Sequence, residues 1–130
     1  MASIFTKIIN REIPAHIVAE DDKHIAILDI FPNAKGHTLV IPKKEVDKIF
    51  DLPEEDYIAL MKFARRVAKA QEKAFPGVKR IGMAVVGLEV PHVHVHLIPL
   101  TEMDDMDFRK KLNFTPEEFS AIQQQISQYL

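Results

Sequence analysis

The chain has no cysteine, which excludes disulfides, thiolate catalysis and zinc sites built on cysteine. It also lacks a strong charge of either sign. Lys+Arg number 17 against 19 Asp+Glu, and a pI near 6.3 argues against a basic surface that grips duplex nucleic acid. No apolar run approaches the ~20 residues needed to cross a bilayer, so no membrane partner is expected. The opening stretch, Met1 to Lys7, has none of a signal peptide's long apolar core, and the cytosol is the expected location. Repeats, low-complexity tracts and Gly/Ser linkers are missing too, so residues 1–130 are read as one domain. What is present is an ordinary globular composition, 47% hydrophobic and 28% charged, long enough to bury a core. The oddity is histidine: there are six, and three fall within five residues.

Local patterns predict a mixed chain. Ser3 is placed to cap a short helix over 4–9, ended by Asn10, Arg11, Glu12 and Pro14. Strands are predicted at 17–20 and 24–28, separated by a turn at Asp21 and Asp22. Phe31 to Gly36 reads as a loop, and 37–41 as a third strand stopped by Pro42. A long helix is predicted from about Asp51 to Phe75, with Pro53, Glu54, Glu55 and Asp56 in its first turn. Its apolar face is read as Ile58, Met61, Ala64 or Arg65, Ala68 and Gln71, widened by Leu60, Phe63 and Val67. Strands at 79–86 and 92–98 follow, then an acidic loop over 102–107. A last helix starts with Thr115 as cap, Pro116 at its first position, Glu118 completing a capping box, and Phe114 stapled to Phe119. Phe119, Ile122, Ile126 and either Tyr129 or Leu130 are expected on its buried face. Short connections between the early strands favour antiparallel pairing and an α+β class.

In the run from His92 to Ile98, histidine and apolar residues alternate strictly as far as Leu97. On a strand, residues two apart share a face at roughly 6.6 Å, so His92, His94 and His96 would project together while Val93, Val95 and Leu97 pack behind. Three readings compete. A solvated strand face is disfavoured because adjacent half-protonated rings repel below neutral pH. A metal site is chemically apt, but a straight strand spreads the outer rings ~13 Å apart, too far to share one ion. Catalysis on an anion uses one neutral imidazole as nucleophile and another to stabilise oxyanion charge. Gly87, just upstream, permits either a tight bend that brings backbone N–H groups to a phosphate or a plain hairpin turn.

Four stretches together resemble the histidine triad (HIT) family of nucleotide-binding hydrolases and transferases. Ser3 to Pro14 is similar to the opening helix of the nucleoside-phosphoramidase branch. Leu28 to Ala34 and Gly36 to Pro42 resemble its central strands and loop, and Gly87 to Pro99 carries the triad. The matching core is residues 1–99; the loop and helix of 100–130 have no counterpart recognised in that branch. The resemblance implies a HIT-like antiparallel sheet of about five strands with a short N-terminal and a long central helix, to which the local pattern adds the C-terminal helix. It further implies a two-fold homodimer whose sheets are continuous across the interface.

By position, the resemblance makes His94 the nucleophile toward the α-phosphorus, His96 the phosphate contact, His92 the residue orienting His94, and His37 an extension of that network. Asp29 matches the acidic residue holding the ribose hydroxyls, and Ile4, Phe5, Ile8, Ile30 and Leu39 match the slot for the base. Without the resemblance these five would read as core, and Asp29 as a turn residue. Gly87, Leu88 and Glu89 fall on the segment facing phosphate and leaving group. There Leu88 stands where several members carry Gln, and Glu89 replaces a hydroxyl residue that assists leaving-group protonation. His96 rather than Gln at the third triad position favours hydrolysis over transfer. The expectation is a hydrolase acting on a purine nucleotide resembling AMP with an added leaving group: a nucleoside 5′-phosphoramidate, a dinucleoside polyphosphate or a related nucleotidyl compound. No metal or other cofactor is expected to be held by the protein, and Mg²⁺ is compatible with polyphosphate substrates. The alternatives are a nucleotide-binding or scaffolding protein with vestigial catalysis, and a metal-binding module built on the three histidines.

Overall fold

A computed structural model describes residues 2–130. In chain order its elements are α1 (Ile4–Ile9), β1 (Ile17–Glu20), β2 (His24–Leu28), β3 (Thr38–Pro42), α2 (Glu54–Ala74), β4 (Arg80–Ala84), β5 (Val95–Leu100) and α3 (Pro116–Ser127). Short 3₁₀ turns occupy Ile49–Asp51 and Met103–Met106. The five strands form one sheet in the order β1-β2-β3-β5-β4, every pairing antiparallel. The class is therefore α+β, as expected. Among the described residues, no helix is long and apolar enough to cross a membrane.

Strand alternation sorts the core onto the two faces. Ala26, Leu28, Val40, Val95 and Leu97 point to one side, where Leu60, Phe63, Val67 and Ala74 of α2 and Phe119, Ile122 and Ile126 of α3 cover them. Ile25, Ile27, Leu39 and Ile41 point to the other, under Phe5 and Ile8 of α1. Each fully buried aliphatic side chain contributes about 1.5–3 kcal/mol. Covering both faces explains why β2 and β3 are buried at every position rather than at alternate ones. Because His94 and His96 alternate with Val95 and Leu97, their rings emerge on the α1 side.

The caps follow the expected chemistry. Ser3 Oγ accepts from the Thr6 amide at 3.0 Å, and Thr115 and Glu118 cap each other at 3.1 and 2.8 Å. Phe114 meets Phe119 edge-on at 5.5 Å. Asp21 Oδ1 accepts the amides of Lys23 and His24, closing the β1–β2 turn.

Several expectations need correction. Pro53 is an extended N-cap and α2 starts at Glu54, because a separate 3₁₀ turn takes up Ile49–Asp51. The buried stripe of α2 runs through Leu60, Phe63, Ala64, Val67, Ala70, Gln71 and Ala74, leaving Ile58 exposed. β4 is confined to 80–84, and Tyr129 and Leu130 lie exposed beyond α3. β3 begins after His37 and retains Pro42 at its end, where the missing N–H costs only the last ladder position. The acidic segment is more than an exposed loop. Glu102 and Asp105 cap the second 3₁₀ turn reciprocally, and Asp105 is buried with Lys110 Nζ at 2.7 Å. Finally, β5 starts only at Val95, so His92 and His94 precede the strand.

Two glycines have positive φ. Gly36 (φ 91°) precedes His37, and a Cβ there would overlap the Phe75 ring; Gly87 (φ 71°) has open space around it. Gly36→Ala is therefore expected to lower stability by about 2–4 kcal/mol, from backbone strain plus overpacking, and Gly87→Ala by only about 1 kcal/mol. Urea midpoints at unchanged slope check the pair, and equal losses would contradict the packing account of Gly36.

Candidate active site

The chain reaches His92 without a sheet ladder to guide it. Pro91 has no N–H to donate, the His92 amide bonds Val90 O at 2.9 Å, and the Val93 amide bonds Val46 O at 2.8 Å. Residues 42–46 thus hold the segment in place of a neighbouring strand. The stretch bends, and the His94 and His96 ring centroids come within 5.1 Å. The expectation of three rings evenly spaced along a straight strand does not hold here.

The hydrogen-bond donors around the four site histidines determine where each proton sits. The Asn33 backbone N–H points at His37 Nδ1 at 3.0 Å, so Nδ1 accepts and Nε2 carries the proton. His37 Nε2–H then donates to His96 Nδ1 at 2.9 Å, which leaves the His96 proton on Nε2. His92 Nε2–H donates to Pro42 O at 2.7 Å, and its Nδ1 accepts from the Ser3 hydroxyl at 2.7 Å. His94 Nδ1–H donates to His92 O at 2.7 Å, so its Nε2 lone pair is uncommitted. One imidazole therefore offers a nucleophilic nitrogen and its neighbour an N–H donor.

Burial disfavours the charged form of His37, His92 and His96. His37 is pushed down to about 3 and His96 to about 4, in each case by desolvation first and then by the positive charges of a neighbouring histidine and Lys111. His92 is lowered by burial, partly offset by its bond to Pro42 O and by the Glu45 carboxylate. Glu45 Oε1 accepts from the Ser3 amide at 2.8 Å and the Thr6 hydroxyl at 2.6 Å, backing the hydroxyl that meets His92. Phe5 lies edge-on to His94 at 4.8 Å and to His92 at 5.8 Å.

Asp29 comes to the same place. Its Oδ1 accepts the Phe31 amide at 2.9 Å, and Oδ2 stands 3.6 Å from His37 Nε2. Desolvation raises its pKa, against the pull of the Phe31 N–H and the positive charges of Lys111 and His94. Phe5, Ile8 and Leu39 are buried beside the site, while Ile4 and Ile30 present exposed apolar surface, 49% and 57% accessible. Gly87 turns the chain before the triad, and Leu88 and Glu89 are exposed; the Glu89 charge acts on Asp29.

The ligand atoms of Asp29, His37 and His96 lie within 4.8 Å of one another. A metal ion there would have to break the His37–His96 hydrogen bond. Glu102, Asp104 and Asp105 form a second such group, but Lys110 Nζ already sits 2.7 Å from Asp105. Neither group is the His92, His94 and His96 set considered from sequence. The two remaining histidines pack on aromatic rings: His24 lies over Phe63 and bonds Asp21, and His16 stacks on Phe119.

Sequence reasoning missed Thr6, Glu45, the Asn33 amide, Pro42 O, and Phe108 with Lys111. Ser3 was recognised only as a helix cap. The capping pattern is itself a signal for Ser3; for Glu45 and Phe108, far away in the chain, no local pattern exists.

With two rings held below their ordinary value of 6.5, the unfolded chain takes up protons that the folded chain refuses. The stability these two rings contribute is therefore fully present above about pH 6.5 and is lost as pH falls through about 4 and on to about 3. Urea midpoints measured across that window are expected to fall, with a shallower slope in the His37→Gln/His96→Gln double variant. Parallel slopes would show that these rings do not carry the effect.

The HIT domain family matches residues 10–103. Adenosine 5′-monophosphoramidase of Saccharomyces cerevisiae is 43% identical over 98 residues, covering 75% of this chain and 62% of that protein. Purine nucleoside phosphoramidase of Escherichia coli is 37% identical over 103 residues, covering 74% and 85%. Among solved structures, a HIT-like protein involved in cell-cycle regulation from Bartonella henselae superposes with a TM-score of 0.84 at 34% identity, over 98% of this chain and 96% of that one. Sharing the family's sequence over most of its length and the fold over nearly all of it, the chain belongs to the HIT domain family.

Proposed function

We propose that the protein is a nucleotidyl hydrolase that cleaves a purine nucleoside 5′-phosphoramidate, a dinucleoside polyphosphate or a related compound and releases a nucleoside monophosphate. The observation that carries this reading is the His94 Nδ1–H bond to His92 O at 2.7 Å, which leaves Nε2 free beside the His96 N–H donor. The phosphoramidase names of two relatives support the substrate class.

In the first step His94 Nε2 attacks the α-phosphorus. The Nε2–P bond forms as the bond to the leaving group breaks, and the leaving group takes a proton from solvent. The His96 Nε2–H donates to a phosphoryl oxygen as charge builds. In the second step water forms a new P–O bond and gives up a proton to solvent, while the Nε2–P bond breaks and returns its electron pair to the ring. Asp29 Oδ2 accepts from the ribose hydroxyls, Ile4 and Ile30 receive the base, and Gly87, Leu88 and Glu89 border the leaving group. The nucleophile is a side chain of the protein itself, and a polyphosphate substrate would bring its own Mg²⁺.

His94→Ala is expected to lower kcat by about a thousandfold or more while AMP affinity stays within about threefold. Mass spectrometry of quenched wild-type protein should find a nucleotidyl group on His94. Turnover within about tenfold of wild type in the variant would sink the assignment. Binding of AMP without cleavage across a panel of adenylyl substrates would favour a vestigial site.

The functional unit is proposed to be a homodimer. Gln123 Nε2 of α3 bonds Ile17 O and so covers the outer edge of β1. β4 is the other edge, and Met83, Val85 and Val86 around it are exposed. An open, apolar edge invites a second copy. Light scattering should give twice the 14.9 kDa chain mass, falling to the monomer in Val85→Lys. A monomeric wild type would refute this arrangement.

A further inference from the structure

The segment between the second 3₁₀ turn and α3 crosses the histidine site. Phe108 meets His96 edge-on at 4.8 Å and His37 at 6.3 Å. The Leu112 amide donates to Pro32 O at 2.9 Å, tying the segment to the loop that follows Asp29. Between these two anchors stand three consecutive cations. Arg109 is held by Asp107 at 3.0 Å and Lys110 by Asp105 at 2.7 Å. Lys111 is exposed, has no carboxylate within 4.0 Å among the described residues, and carries its ammonium 5.8 Å from the Phe108 ring.

We propose that Lys111 is a phosphate ligand of this site, pairing with phosphoryl oxygens of the bound nucleotide while Phe108 packs against His96. The proposal rests on the nucleotide reading above and assigns a part of it to the C-terminal segment. A nucleoside monophosphate carries up to two negative charges near neutral pH. Asp29 already brings a carboxylate, and His37 and His96 are neutral, so the imidazoles supply N–H donors without countercharge. Lys111 supplies the missing charge: its field is felt at Asp29, His37 and His96 alike. Its freedom from a protein carboxylate leaves it available, and the Phe108 ring face gives the ammonium a resting place when no anion is bound.

The test compares AMP with adenosine by calorimetry, using the full chain as wild type, Lys111→Met and Lys111→Arg. Lys111→Met should weaken AMP binding about tenfold and leave adenosine within about twofold, with Lys111→Arg retaining most of the preference. An exposed side chain is not needed for folding, and an unchanged urea midpoint verifies that. If the wild type prefers AMP and Lys111→Met keeps the whole preference, the assignment of Lys111 is overturned while the nucleotide reading stands. Equal weakening of both ligands overturns it as well, by showing a structural effect. A wild type that binds neither ligand overturns both.

Discussion

A single backbone amide sets the protonation of the site. The Asn33 N–H donates to His37 Nδ1, and a backbone amide cannot reverse its role. That forces the His37 proton onto Nε2, which forces His96 to accept at Nδ1 and present its own proton outward. Desolvation guards the arrangement, because a proton added to either ring would be stranded in a buried place with no acceptor. Gly36 contributes to the same end. Its positive φ turns the loop sharply enough for the Asn33 amide to face the ring four residues later, with Phe75 filling the space a side chain would need.

A second chain of bonds arrives from the N-terminal helix and fixes His92. The Ser3 hydroxyl caps α1 by accepting from Thr6 and, with its own proton, meets His92 Nδ1. One side chain thus joins the start of a six-residue helix to the triad. A helix this short has little stability of its own, so its place is secured by Phe5 and Ile8 packing on the sheet and by Glu45 holding Ser3 and Thr6. The helix cap and the site are one structure.

Much of this was legible in the sequence. Capping residues, turn residues and apolar periods placed α1, α3 and the first three strands within a residue or two, because those signals are local. The burial of Val93, Val95 and Leu97 opposite the histidines followed from alternation alone. The misplaced residue of α2 has a physical cause: Ile58 stands ~200° around the helix from Leu60, and an apolar residue on that far side stays exposed once the sheet and α3 take the Leu60 face. The contacts of Glu45 with α1 and of Phe108 with His96 join residues far apart in sequence, and no local pattern encodes them.

The most informative departure is the start of β5. In an uninterrupted strand the carbonyl of His92 would be a candidate for bonding a neighbouring strand, and His94 would need another partner for Nδ1. With the ladder beginning at Val95, that carbonyl is free and the His94 ring folds back onto it. Pro91 and the bonds to residues 42–46 keep the segment out of the sheet. The run from His92 to Ile98, alternating as far as Leu97, therefore describes two different things: a regular strand carrying His96, and an extended but unpaired stretch carrying His92 and His94. The break between them supplies the acceptor that leaves His94 Nε2 unprotonated. A regular strand across all seven residues would satisfy the same hydrophobic pattern while giving up that acceptor.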